Sequence, residues 1–325
     1  MSSAVRKTNA PRRPGPACPA AGLDAVCIAI ADYLKRAQDF TPGDYYGSFW
    51  SEKAYHGPRL DYHAGGSHHH RGAGSGGLAL WLEGRRRGNP DLLRRAELAF
   101  DWLAARQRPG GGYFEIQNNE KPSDWEHTGL EECSTIALAF AAHGLGEALA
   151  GGLPPKTSYR DCLLKAGHWL LAAERPAGSG RFPHHDRSPY DCLNANLHAA
   201  ESLALIHAVL RTVYGRPLDI FYQGARRAVA HTLALQAPDG SFPYRAEGGV
   251  TINYTALVLW CLLNILERLP AERRADFGPP ARLRRALGRA AAFLRVAVGP
   301  EGRPRWDRFE TSSARHNLWT YAVTA

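Results

Sequence analysis

Histidines, acids, amides and tyrosines of this 325-residue chain concentrate in five short polar segments. Side chains of these types donate, accept or transfer protons, and they bind hydroxylated or charged molecules. We call the segments collars, and they are residues 67–74 (SHHHRGAG), 122–133 (PSDWEHTGLEEC), 184–198 (HHDRSPYDCLNANLH), 247–255 (EGGVTINYT) and 309–319 (FETSSARHNLW). Five equivalent collars that converge on one point would form a single polar site.

The collars supply the candidate site residues. The candidate catalytic residues are Glu131, Glu132, Asn194, His198, Tyr254 and His316. The candidate substrate-binding residues are His70, Arg71, Asp124, Trp125, Glu126, His127, His185, Asp186, Asp191, Asn196, Asn253, Arg315 and Asn317. Such a set favours a polar or anionic small molecule or oligosaccharide as the substrate.

Some of these residues also have purely structural interpretations. Asp191 is placed to cap a helix, and Glu131 and Glu132 suit the positive end of a helix dipole. Because these glutamates are adjacent, at most one points outward, and the other must face the cavity or a partner. His198 fits a buried core histidine as well as a catalytic one. Arg315 opens the last helix, where its charge opposes the dipole, and this conflict indicates a functional or ion-pairing role.

Two kinds of sugar chemistry fit the collars, and a third possibility is a non-catalytic scaffold that binds a polysaccharide. Hydrolysis would use two carboxylates across a glycosidic bond, drawn from Asp124, Glu126, Glu131, Glu132 and Asp186. Elimination or epimerisation of a uronic acid would need a base and a donor that stabilises the developing enolate. The residues for that reaction are Asn194, His198, Tyr254, Arg315 and His316.

Glycine turns recur along the chain at nearly constant spacing. They are centred on Gly47, Gly112, Gly180, Gly240 and Gly302, which are 65, 68, 60 and 62 residues apart. This recurrence is typical of stacked helical units. An amphipathic helix precedes each turn, and we expect the glycine to end it, since only glycine takes a positive φ at little cost.

Each unit reads as one outer and one inner helix. The outer helices are predicted at residues 24–38, 89–107, 157–174, 216–236 and 279–298, with Asn89–Pro90 and Thr157 as helix-start signals. The inner helices at 134–149, 196–214 and 256–269 are apolar almost all round and must be buried on every side. The sequence therefore predicts an all-α fold, an α/α toroid of about five hairpins with buried inner helices and amphipathic outer helices.

A short motif in the turns resembles a known repeat. Residues 236–242 read QAPDGSF, and Gln107 to Tyr113 echo them. The Gln-x-x-Asp-Gly-Ser-aromatic pattern resembles the repeat of the terpenoid cyclase and protein prenyltransferase toroid superfamily. Residues 238–262 are also similar to VpsJ-like proteins of bacterial polysaccharide biosynthesis. The resemblance covers most of residues 22–325, and it implies that the glutamine and the aromatic tie helix ends together.

Isoprenoid chemistry and zinc stay as alternatives. The chain has no DxDD acid motif, and its collars are polar where a cyclase needs aromatic walls. The prenyltransferase resemblance would imply a zinc site from His70, Asp191 or Cys192, and His316. That family, however, places one residue between its Asp and Cys ligands, and here the two are neighbours. We therefore predict no cofactor.

Bulk properties set the remaining limits. The net charge of +9 falls to +5 without residues 1–21, a predicted disordered basic tail that lacks the apolar region of a secretory signal. Residues 22–325 are predicted to form one domain with no membrane span, and the scattered arginines indicate no nucleic-acid site. Six cysteines without zinc-finger spacing predict thiols in a reducing cytoplasm. The last inner helix stops at Ala325, so either the fifth hairpin is short or the natural protein continues, and the oligomeric state is left open.

Overall fold

The structure, a computed structural model, describes residues 20–51, 67–113, 133–186, 192–245, 249–268, 271–274, 276, 280–300 and 302–309. The outer helices are α1 (Ala20–Ala37), α3 (Pro90–Arg106), α5 (Thr157–Ala173), α7 (Asp219–Ala234) and α10 (Pro280–Ala297). The inner helices are α2 (His70–Arg87), α4 (Thr135–Ala150), α6 (Leu193–Thr212) and α8 (Ile252–Arg268). The short elements are β1 (Trp50–Ser51), β2 (Ser67–His68), α9 (Ala271–Arg274) and α11 (Trp306–Phe309).

The inner helices pack side by side in chain order, with α2 on α4, α4 on α6 and α6 on α8. The outer helices α3, α7 and α10 pack against α2, α6 and α8 respectively. Helix α6 is the most enclosed, since every residue from Leu193 to His207 is buried. Two concentric layers of helices result, and the predicted α/α toroid is confirmed.

Helix α8 departs from the prediction that every inner helix is buried all round. Its Trp260 is 45% exposed and its Leu263 is 48% exposed. The Trp260 ring lies 6.0 Å from the ring of His143 on α4, two helices away. This face of α8 therefore borders an open space that α4 also reaches.

The turn glycines allow each turn to touch the outer helix of the next unit. Gly47, Gly111, Gly180 and Gly240 all have positive φ, between 76° and 96°. A Cβ on Gly47 would lie 2.8 Å from the carbonyl oxygen of Leu98 on α3. A Cβ on the other three would collide with backbone carbonyls of α5, α7 and α10. The spacing of the repeat thus reflects one backbone contact made four times.

Two details of the predicted turns are wrong. In the second turn the residue with positive φ is Gly111 and not Gly112, whose Cβ position is filled by Cys133 and Trp169. The glycines also do not end the helices, because α3 already ends at Arg106 and the turn follows it. Glycine is needed for the backbone contact and not as a helix cap.

Glutamines fasten the same turns. Gln107 donates from Nε2 to the carbonyl oxygens of Gly111 and Cys162, both at 2.9 Å. Gln236 donates to those of Gly240 (3.0 Å) and Ala286 (2.8 Å). Gln38 makes the equivalent pair of bonds in the first turn. One side chain therefore joins its own turn to the next outer helix, as the resemblance implied.

In the third turn the connecting side chain accepts hydrogen bonds instead of donating them. Glu174 stands where the others have glutamine and cannot donate, so it accepts from the backbone N–H of Gly180 at 2.6 Å and from Arg227 of α7 at 2.7 Å. Burial alone would raise the pKa of Glu174, but the hydrogen bonds from Arg227, Gly180 and Gly178 prevail and lower it.

Helix starts follow their sequence signals in part. The side chain of Asn89 accepts from the backbone N–H groups of Asp91 and Leu92, as predicted. Helix α5 begins at Thr157 as predicted, but Thr157 is not its N-cap, because Lys156 holds that position and no side chain caps the helix. The Lys156 ammonium instead pairs with Asp101 of α3 at 2.7 Å.

We predict that Gly240→Ala destabilises the protein far more than Gly302→Ala. Both residues have positive φ, so each alanine costs about 1 kcal/mol of backbone strain. Only at Gly240 does the new Cβ strike the backbone of α10, which adds about 3 kcal/mol. Urea unfolding of the two variants measures this difference, and equal losses would disprove the contact model of the repeat.

We predict that Glu174→Gln has a lower unfolding free energy than the wild type, mainly above pH 4.5. The lowered pKa of Glu174 stabilises the fold where the unfolded glutamate is ionised, and the effect is lost as pH falls below the ordinary value of 4.5. The difference in unfolding free energy between wild type and variant should shrink below that pH. Urea unfolding across the acid range measures it, with the exposed Glu267→Gln as control. A difference that does not change with pH would contradict the prediction.

Candidate functional site

The inner helices all begin at one mouth of the toroid, and the structure brings several collar residues together there. The N–H of Leu193, at the start of α6, donates to the carbonyl oxygen of Tyr244 at 3.1 Å. The Tyr244 ring lies 4.5 Å from that of Tyr254, in the first turn of α8. Asn194 and Tyr254 thus occupy adjoining helix starts, and the buried Asn253 precedes Tyr254.

The third collar extends this mouth toward α4. His185 forms an isolated antiparallel bridge with Ser134, the N-cap of α4, and the N–H of Asp186 donates to the carbonyl oxygen of Cys133 at 3.1 Å. The buried Oδ1 atoms of Asp186 and Asn194 have no hydrogen-bond partner among the described residues. Two acceptors are therefore available at the mouth for hydroxyl groups of a ligand.

The first collar is shorter than predicted, because α2 already begins at His70. The His70 ring packs against the rings of Trp102 (5.0 Å) and Tyr113 (4.5 Å), in the layer next to α3. Arg71 is close enough to His198 for its charge to act on that imidazole. Of His70 and Arg71, the two binding residues predicted in this collar, Arg71 is therefore the one whose charge reaches the interior side chains.

Asn196 has a structural role. Its side chain accepts from the N–H of Phe182 and donates to the carbonyl oxygen of Ala228 and the hydroxyl of Thr232, at 2.9–3.1 Å. It is fully buried, so we remove it from the proposed site. Ten predicted site residues lie outside the described residues. These are Asp124, Trp125, Glu126, His127, Glu131, Glu132, Asp191, Arg315, His316 and Asn317.

A second group of polar residues lies deeper, between the inner helices, and sequence reasoning missed most of it. We call it the interior cluster, and it consists of His143, Glu147, His198, Glu201, Cys261, Asn264 and Arg268. The pairs 143/147, 198/201 and 264/268 each follow helical i,i+3 or i,i+4 spacing, which places their members on one face of α4, α6 and α8. Polar residues at that spacing in otherwise apolar helices were the available signal.

Glu201 is the centre of the interior cluster and is only 1% exposed. Its Oε1 accepts from Asn264 Nδ2 at 2.8 Å and from Arg268 Nη1 at 3.2 Å. The same arginine donates to Glu147 through Nε at 2.6 Å, and also through Nη2. His143 Nδ1 lies 3.4 Å from Glu201 Oε1. One guanidinium therefore compensates two carboxylates from neighbouring inner helices.

Both histidines of the interior cluster are held neutral. Burial, together with the electrostatic effects of neighbouring His143 and Arg71, lowers the pKa of His198 to about 3. Burial also lowers the pKa of His143, with Glu201 opposing and Arg268 adding to the effect. Neutral imidazoles both accept and donate protons, as acid–base chemistry requires.

Among the described residues, the exposed side chain of Trp260 borders the interior cluster. This side chain is nearly half exposed and faces the His143 ring, whereas His198 lies deeper and packs against Phe140, with ring centroids 4.6 Å apart. His143 is the more accessible histidine, with 17% of its side chain exposed against 6% for His198. A ligand in the space beside Trp260 would therefore meet His143 first.

Three side chains of the cluster also fit metal coordination. The ligand atoms of His198, Glu201 and Cys261 lie within 4.8 Å of one another. Burial raises the pKa of the Cys261 thiol well above its usual range. The zinc set considered as an alternative in the sequence involves other residues, and two of its possible ligands, Asp191 and His316, lie outside the described residues.

Two further expectations concern thiols and membranes. The five described cysteines, which are Cys27, Cys133, Cys162, Cys192 and Cys261, form no disulfide. Among the described residues, no helix has the length and apolar character needed to cross a bilayer.

Comparison with known proteins places the fold among sugar enzymes. The chain is similar to a sugar epimerase from a ruminal bacterium (TM-score 0.60, 15% identity, covering 84% of this chain and 70% of that one). It is similar to D-mannose isomerase, with a TM-score of 0.58 and 15% identity, over 84% of this chain and 68% of that one. It is also similar to unsaturated glucuronyl hydrolase from Streptococcus agalactiae, with a TM-score of 0.53 and 14% identity, over 78% of this chain and 68% of that one. No protein-family model and no curated protein matches the sequence. At such identities the comparison establishes the α/α toroid fold.

We predict that Arg268→Met lowers the unfolding free energy by about 3–5 kcal/mol, because it leaves the buried Glu201 without its cation. Arg160→Met removes an arginine that pairs with the half-exposed Asp161, and we expect a loss below about 1 kcal/mol. Thermal and urea unfolding of both variants measures the difference. A loss for Arg268→Met no larger than that of the control would show that Glu201 does not need the arginine as its cation.

Proposed function

We propose that this protein is a carbohydrate-active enzyme that moves a proton at a sugar carbon next to a carbonyl or carboxylate group, as an epimerase, isomerase or lyase does. The observation that carries the proposal is the His143–Glu201 pair beside the exposed Trp260, inside a toroid. The similar solved enzymes include a sugar epimerase and a mannose isomerase, which agrees with this class of reaction.

Trp260 is the proposed platform for the sugar ring. An exposed indole offers a flat apolar surface, and its N–H supplies a polar edge, so it suits a ring with one apolar face and hydroxyls at the rim. A sugar on this surface would lie next to the His143 imidazole, since the two rings are 6.0 Å apart. The acceptors Asp186 and Asn194 at the mouth would bind hydroxyls of the next sugar unit.

His143 is the proposed acid–base residue. Its imidazole would take the proton from the carbon, and the electron pair of that C–H bond would move onto the carbonyl oxygen. Glu201, 3.4 Å away, would stabilise the imidazolium that forms, and Asn264 and Arg268 hold the glutamate in place. Return of a proton to the opposite face gives an epimer, and departure of a β-substituent gives an elimination product.

The described part of the cavity favours proton transfer over hydrolysis. A glycosidase needs two carboxylates that face each other across the glycosidic bond. Glu147 and Glu201 instead converge on the single Arg268. The positive charge of Arg71 near His198 also supports an anionic sugar such as a uronic acid. A place in bacterial polysaccharide biosynthesis, as in the VpsJ-like resemblance, and a cytoplasmic location accompany this proposal.

The alternatives make different demands on the same cavity. Isoprenoid processing needs apolar and aromatic walls, and the interior cluster supplies charges and amides instead. A scaffold that only binds polysaccharide would need Trp260 but no acid–base pair. The following experiment separates a scaffold from an enzyme.

We predict that the wild-type protein incorporates solvent deuterium into D-mannose, cellobiose or D-glucuronate, and that His143→Gln lowers the rate by about 10²- to 10⁴-fold. Proton NMR in deuterium oxide measures the exchange at the carbon next to the carbonyl. His168→Gln, an exposed histidine on outer helix α5, is the control and should keep the wild-type rate.

Trp260→Ala should raise KM more than it lowers kcat, since the indole binds and does not react. Sugar binding without deuterium exchange in the wild type would support the scaffold. Undiminished exchange in His143→Gln would exclude this histidine as the base.

A further inference from the structure

Three potential metal ligands meet between α6 and α8, and one of them, Glu201, also takes part in the proposed reaction. His198 and Glu201 are one turn apart on α6, and Cys261 faces them from α8. All three are at least 95% buried, and their ligand atoms lie within 4.8 Å of one another. We propose that His198, Glu201 and Cys261 bind one divalent metal ion of the zinc class.

The distances between these atoms suit co-ligands of one ion, and the contact between His198 Nδ1 and Cys261 Sγ also lies within the range of a hydrogen bond to sulfur. His198 Nδ1 lies 3.8 Å from Cys261 Sγ and 3.9 Å from Glu201 Oε2. A nitrogen–oxygen hydrogen bond needs about 3.2 Å or less. Two tetrahedral zinc ligands, a nitrogen at about 2.0 Å and a sulfur at about 2.3 Å from the ion, are about 3.5 Å apart. The distance between His198 Nδ1 and Cys261 Sγ is therefore within a few tenths of an ångström of the value for two ligands of one ion.

The residues around the three ligands prepare Glu201 for this role. Asn264 and Arg268 both donate to Oε1 of the glutamate, which leaves Oε2 directed at His198. Hydrogen bonds to a ligating carboxylate are typical of metal centres, where they fix the orientation of the ligand. The Phe140 ring packs against His198 and restricts the imidazole. The arrangement is rigid because both ligand-bearing helices belong to the inner layer.

The ligand chemistry points to zinc or a similar ion. A mixed set of one imidazole, one thiolate and one carboxylate suits borderline ions and excludes calcium and magnesium, which prefer oxygen alone. Three protein ligands leave a fourth position for water or substrate, as in catalytic zinc sites. These ligands differ from the zinc set considered from the sequence, of which they share no member. The inference stands on this geometry and not on the proposed function.

Cobalt binding to the purified full-length chain tests the site. After removal of bound metal with a chelator, the wild type should take up one equivalent of Co²⁺ and show a thiolate-to-cobalt charge-transfer absorption. Cys261→Ser should abolish that absorption. Cys162→Ser, at a buried cysteine that contacts Tyr113 on the outer side of the core, is the matched control and should keep it.

Two further variants keep the test decisive if Cys261→Ser does not fold. His198→Gln leaves every cysteine in place and should weaken Co²⁺ binding by about 100-fold or more. Asn264→Leu should keep the absorption and weaken binding by about 10- to 100-fold, as loss of an outer hydrogen bond does. Circular dichroism checks the fold of each.

The site is overturned if the folded wild type binds no Co²⁺ or Zn²⁺, or if the charge-transfer absorption survives Cys261→Ser. Unchanged affinity in His198→Gln would overturn it equally. Metal uptake is measured without any sugar, so its failure says nothing against proton transfer by His143. Loss of deuterium exchange would likewise leave the metal result intact.

Discussion

The contact between each glycine turn and the backbone of the next outer helix is the constraint on which this fold depends. At Gly111, Gly180 and Gly240 the two backbones are so close that no side chain fits between them. A glutamine, or Glu174 in the third unit, then ties the turn to the same helix. Because this contact repeats, successive hairpins keep one orientation, and every inner helix starts at the same mouth. The common mouth follows from the turns.

The inner layer of helices contains a buried charge, and that charge needs partners on neighbouring helices. Glu201 lies where almost no water reaches it, so its charge requires partners from neighbouring helices. Asn264 and Arg268 both come from α8, and Arg268 also pairs with Glu147 of α4. Three inner helices must therefore be correctly placed before the two carboxylates are compensated. The same requirement leaves two neutral histidines and a thiol around Glu201, and this is the chemistry from which both proposals derive.

The collars and the interior cluster were not equally visible in the sequence. Asn194 and Tyr254 were identifiable because they stand in polar segments next to predicted helix starts, and the structure places these two helix starts beside Tyr244. Glu201, His143 and Arg268 were hidden inside helices that read as apolar, although their i,i+3 and i,i+4 partners formed a pattern. Asn196 shows the opposite error, since a polar residue in a collar proved to fasten α6 to α7. Residue type alone does not distinguish a ligand-facing amide from one that satisfies backbone groups.

The sequence by itself determined the periodic architecture, because helix periodicity and glycine turns depend on residues close together in the chain. Local chemistry also placed the outer helices and three of the inner helices, α4, α6 and α8. The glutamine connections were expected only from the resemblance to a known repeat, and α2 was not predicted. Only the tertiary structure decided that Trp260 is exposed, that Gly111 makes the backbone contact, and which polar side chains meet around Glu201. Those facts depend on contacts between residues more than fifty positions apart in the chain, such as Glu201 and Asn264. A one-dimensional pattern shows the face of a helix, but it does not show which residue of another helix lies opposite.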